Sequence, residues 1–162
     1  VKMVLRIIQT LENLYELHEH LYDLAVKKTE VLKNNEDVSK LKELLKKEQL
    51  CIKMIQQKEE ERMKQVAAWL GNQEDQSLTA CIEKASGADK KKLEHLKDSF
   101  LEIMTKLKAA NELNEQLTHY ALQFINMTLD MVMPQEPALS YQHPKQPQEQ
   151  LAPRRSMFDS KA

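Results

Sequence analysis

Five histidines, two cysteines and a scatter of serines are the residues of this 162-residue chain best suited to catalysis or metal binding. Their spacing assembles neither. None of His18, His20, His95, His119 and His143 has a glutamate three residues before it, so the carboxylate–histidine pattern of a di-iron helical bundle is missing. His18 and His20 stand two apart, on different faces of a helix, and Glu16 with His20 makes at most a surface pair. Cys51 and Cys81 form no CxxC pair and have no histidine at zinc-ligand spacing. A serine or cysteine nucleophile needs a base beside it in a cleft, whereas these serines fall at helix starts, on helix faces or near the C-terminus. Phosphate cradles and nucleophile elbows need clustered glycines, and the chain has only Gly71 and Gly87. The reading is of a chain with no catalytic residues, no metal site and no cofactor.

Charge excludes two further classes. Lys+Arg 24 against Asp+Glu 25 leaves a net charge of -1, which sets up no field to draw nucleic acid or an anionic membrane surface. The run Lys90, Lys91 and Lys92 reads as a solvated first turn of a helix, with no aromatic residues interleaved for base stacking. The opening VKMVLRIIQTLENL is too short and too soon interrupted to be a secretory signal, and no run reaches the roughly 18 apolar residues of a membrane span. A cytoplasmic protein without membrane insertion is expected. Its partners must then be recognised by shape and apolar contact.

The elements that would present such contacts are helices. Val4, Ile8, Leu11, Leu14, Leu17, Leu21, Leu24 and Val31 recur at three-and-four spacing and predict one amphipathic helix to about Leu32. Asn34 and Asn35 end it, and Asp37 caps a second helix from about Val38 to Leu70, with Leu41, Leu45, Ile52, Ile55, Val66 and Trp69 along one stripe and Glu48, Glu59 and Arg62 interrupting it. Gly71 closes that helix. Ser77 then caps a short helix that stops at Gly87. From about Asp89 to Met133, the residues Leu93, Leu96, Phe100, Ile103, Leu107, Ala110, Asn114, Leu117, Ala121, Phe124, Thr128 and Met131 keep a 3.5-residue repeat, the mark of a coiled-coil seam. Such a helix is roughly 65 Å long and needs partners along its length, which the first two helices supply by folding back antiparallel. All five prolines follow it, from Pro134 to Pro153, in a Gln-rich stretch with too little apolar surface to offset ordering. The fold class is therefore all-α: an antiparallel coiled-coil or elongated bundle of three long helices and one short one over residues 1–133, then a flexible tail over 134–162.

The last turns of the third long helix stand out. Leu122, Ile125, Leu129 and Val132 open a second apolar stripe beside the seam, joined by Met127, Met131 and Met133. That is more apolar surface than two neighbouring helices cover, and methionine adapts to unlike partners. Either the bundle end is fully packed or the stripe is a groove for a partner's amphipathic helix. Asn114, on the seam, either fixes register or touches that partner, and Asn111 stands beside it.

These residues carry a resemblance. Asn111, Asn114, Leu117, Leu122, Ile125 and Leu129, within NELNEQLTHYALQFINMTL, resemble the C-terminal helix signature of FlgN-type flagellar export chaperones. LLKKEQLCIKMIQQKEEER is similar to the same family's second helix, through Leu44, Leu45, Glu48, Gln49, Ile52, Ile55 and Arg62. The end, RRSMFDSKA, looks like the terminus of members from Gram-positive, Bacillus-like bacteria. In one departure, the family often follows a tail tyrosine with glycine, where Tyr141 is followed by Gln142.

The resemblance implies a cytoplasmic type III export chaperone. It would hold the C-terminal helices of the hook-filament junction proteins unassembled and deliver them to the cytoplasmic domain of the flagellar export gate. On this reading Asn111, Asn114, Leu117, Leu122, Ile125, Leu129 and Val132 hold the cargo, and the tail aromatics Tyr141 and Phe158 dock to the gate. The rival readings are a structural coiled coil whose stripe closes a homodimer, a state also open to the free chaperone, and a secretion chaperone for another cargo.

Overall fold

A computed structural model describes residues 2–71 and 73–132, the side chains of Phe124 and Ile125 excepted. Four helices and no strand occur among the described residues: α1 (Lys2–Lys33), α2 (Val38–Leu70), α3 (Leu78–Lys84) and α4 (Gly87–Val132). The all-α class and the three-long, one-short pattern are as the periodicity predicts. The boundaries follow from local chemistry. Asn35 takes up the left-handed conformation (φ 49°) after α1, and the Asp37 side chain accepts the Ser39 N–H at 3.2 Å to open α2. That bond, made to the charged form, holds the Asp37 carboxyl below its ordinary range. Gly71, at φ 75°, ends α2 by donating its N–H to the Ala67 carbonyl. The Ser77 hydroxyl accepts the Ala80 N–H at 3.2 Å and starts α3. One boundary moves: α3 stops at Lys84, and Gly87, expected as its terminator, is instead the first residue of α4.

The chain divides into two compact units, Val1–Ala110 and Asn111–Ala162, with α4 contributing to both. In the first, α1 and α2 pack antiparallel. Leu24 and Val31 meet Leu44 and Cys51 in one apolar cluster. Val4, Ile7, Ile8, Leu11 and Leu14 meet Val66 and Leu70 in another, which Ala80 and Cys81 of α3 and Leu93 and Leu96 of α4 complete. Phe100 fixes α4 against α1 through edge-on contacts with Tyr15 at 5.8 Å and His18 at 5.7 Å. The His18 ring is itself oriented by donating from Nδ1 to the Leu14 carbonyl at 2.7 Å.

The α2 stripe departs from the expected one. Leu44 and Cys51 are buried where the pattern places Leu45 and Ile52, and the latter two are exposed. Nor does Glu48 interrupt the packing. It takes Lys28 of α1 at 2.8 Å in a largely covered pair that links the two helices. The cause is rotational: one residue along a helix is about 100° around it, and at this end α2 turns toward α1 instead of toward α3.

Both cysteines belong to this core, and the Cys51 thiol donates to the Leu17 carbonyl at 3.3 Å. Burial, the largest cause for each, pushes both thiols above the ordinary range. Native protein at pH 8 is therefore expected to react with a thiol-specific disulfide reagent far more slowly than unfolded protein, in which both thiols titrate at once. Because the folded values are raised, stability is full below the free-thiol range and falls as pH rises above it. Fast reaction of either thiol without unfolding would contradict the burial.

Candidate functional site

Residues 111–132 of α4 contain no glycine, proline or β-branched run, which keeps this stretch helical to Val132. Their seam fades along its length. Asn114 is buried (3% exposed), Leu117 and Ala121 are half-buried, and Thr128 and Met131 are exposed. The Thr118 hydroxyl donates to the Asn114 carbonyl at 2.8 Å, an internal helix contact. Beside the seam, Leu122 is 37% and Leu129 51% exposed, and Val132 is more exposed still.

The candidate residues thus separate by position. Leu122, Leu129 and Val132 form an exposed apolar row, with Leu117 half-buried near its start and Asn111 exposed ahead of it. Asn114 is covered in the free chain. Ile125 lies in the helix, but its side chain is outside the described residues, as are Tyr141 and Phe158 altogether.

Of a second row, the sequence pattern singles out Met127 alone. Leu113, Tyr120 and Met127 recur at seven-residue steps and are all exposed. Their spacing is the signal that could have found them. With Leu117 and Met131 between the rows, apolar side chains cover more than half of the helix circumference, far wider than a single packed face. The remainder is polar, with the His119 and Gln123 side chains hydrogen-bonded at 3.1 Å.

The electrostatics are one-sided. Residues 111–132 hold Glu112, Glu115 and Asp130 and no lysine or arginine. Asp130 faces the negative end of the helix dipole, an arrangement that leaves the last turn weakly held on its own. Chemically this surface offers an adaptable apolar strip with an acidic edge. It has no nucleophile–base pair, and no metal-binding cluster of His, Cys, Asp or Glu occurs among the described residues.

A shallow cavity of about 290 Å³ near the α1–α2 turn is lined by Lys27, Glu30, Val31, Glu36, Lys40, Glu43, Leu44 and Lys47. Two of its carboxylates are already paired locally, Glu36 with Lys40 at 2.9 Å and Glu43 with Lys47 at 3.4 Å. It offers a ligand little unsatisfied charge.

The family model described as FlgN protein matches residues 3–149. A Bacillus subtilis (strain 168) protein described as uncharacterized protein YvyG is 41% identical over 156 residues, 96% of this chain and 97% of that protein. No solved structure matches the chain.

Proposed function

Because this chain belongs to the FlgN family of flagellar export chaperones, we propose that it holds the C-terminal amphipathic helices of the hook-filament junction proteins and delivers them to the export gate. The observation that carries this reading is the exposed apolar breadth of residues 111–132. Junction-protein ends that pair with each other in the finished filament would aggregate if left unpaired, and a wide apolar strip shields them. Each large side chain fully buried contributes roughly 1.5–3 kcal/mol, less the cost of ordering both partners.

The protein works in the cytoplasm in this proposal; no described helix is long and apolar enough to cross a membrane. Asn111, Leu117, Leu122, Ile125, Leu129 and Val132 contact the cargo, Asn114 holds the register of the helix that displays them, and Tyr141 and Phe158 of the tail dock to the cytoplasmic domain of the gate. Light scattering on a mixture with a junction protein tests the reading. A chaperone forms a heterocomplex that replaces any self-association. A mass unchanged by the cargo, with the free chain a dimer, would establish the structural coiled coil instead.

A further inference from the structure

Val66 is fully buried among residues of α1, α3 and α4. Going back along α2 by sevens from Val66 reaches Glu59, Ile52, Leu45 and Val38, which share its stripe of the helix. The cover does not continue with them: Ile52 is 38% exposed, and Leu45 and Val38 are more open still. Glu59 marks the change, bound by Arg62 Nε at 2.9 Å.

The facing side of α4 shows the same break. Lys97 Nζ donates to the Thr79 hydroxyl of α3 at 3.2 Å, so this row of α4 lies toward α3. One and two turns further on are Leu101, 60% exposed, and Met104, also exposed. At seven residues α3 spans only roughly 10 Å, and beyond it these two apolar rows stay partly open to solvent.

We propose that this open channel beneath α3, walled by Leu45 and Ile52 of α2 and by Leu101 and Met104 of α4, receives an acidic amphipathic helix from another protein, which completes the four-helix layer that α3 begins. Charge selects the occupant. Lys42, Lys46 and Lys53 flank the α2 wall and Lys108 the α4 wall, and none of the four is in an ion pair among the described residues. Of the carboxylates beside the two rows, Glu43, Glu48, Glu59 and Glu102 are held in ion pairs, which leaves Glu60 of α2 and Glu94 and Asp98 of α4, all toward the α3 end. A helix with leucines on one face and glutamates on its flanks would bury the rows and pair the lysines. A second copy docking by the same face would set lysines against lysines.

The probe is a three-heptad synthetic helix with leucine at its core positions and glutamate on both flanks, alongside a twin with lysine flanks. Fluorescence anisotropy with the intact chain should show the acidic peptide binding at least about tenfold tighter than the twin, and weakening with salt. Ile52→Glu with Leu101→Glu should cost at least about tenfold. Lys42→Glu, Lys46→Glu and Lys53→Glu together, all on the surface and harmless to folding, should reverse the preference between peptides. Leu122→Asp with Leu129→Asp should leave this binding unchanged, which separates the channel from the proposed cargo surface. The proposal fails if neither peptide binds, if both bind alike, or if the channel variants bind as the parent does. It also fails if light scattering shows a dimer that Ile52→Glu abolishes, since the occupant is then a second copy.

Discussion

Leu93→Ala will lower the unfolding free energy by about 2–5 kcal/mol, the range for deleting a buried leucine from a core that cannot close around the gap. Leu93 is fully buried, in a cluster drawing residues from all four helices. A void there is shared by several elements, and no single side chain can swing in to fill it. Against a typical total of about 5–15 kcal/mol, the loss is a large fraction of stability. Leu101→Ala, two turns further along the same helix and largely exposed, should cost no more than about 0.5 kcal/mol. Urea unfolding followed by far-ultraviolet circular dichroism measures both. Equal effects would mean that the start of α4 is not integral to the core.

That contrast between two leucines on one helix shows what sequence pattern resolves. Helix ends were legible because Asp37, Gly71 and Ser77 are chemically distinct caps whose bonds need no tertiary partner. The α4 seam was legible from Leu93 to Leu107 because one strong repeat there is buried at Leu93, Leu96, Ile103 and Leu107. On α2 two near-equal stripes compete, Leu44 with Cys51 and Leu45 with Ile52, and which is covered depends on where α1 and α3 lie. Local pattern does not hold that information. Gly87 misled for a related reason: positive φ suits a helix terminator and equally the turn that opens the next helix. In the candidate site the leucines of the last turns and Met127 were readable as surplus apolar surface, but Leu113 and Tyr120 belong neither to the seam nor to the stripe beside it. Asn114 is ambiguous by type alone, since a polar seam residue serves register and recognition with the same side chain.

The double substitution Leu122→Asp with Leu129→Asp is expected to weaken binding of a junction-protein C-terminal helix by about 10²–10⁴-fold, as read by isothermal titration. Burying two leucines contributes roughly 3–6 kcal/mol in all, and about 1.4 kcal/mol is tenfold in affinity. The lower part of that range is set by Leu122, already about two-thirds covered in the free chain at 37% exposure and so with less area left to bury. Leu129, at 51%, has more to lose. Aspartate does more than remove the contact, because a docked helix would strip water from an unpaired carboxylate. It also enlarges an edge that already carries Glu112, Glu115 and Asp130 without a basic residue, so a cargo with basic flanks should retain more affinity than a neutral one. Helical circular dichroism should stay intact, since both side chains lie in neither buried cluster. Asn114→Ala is the informative companion: a covered residue that sets register should cost stability and leave the cargo contact itself in place. Undiminished binding by the leucine double variant, at unchanged helicity, would remove residues 111–132 as the docking surface.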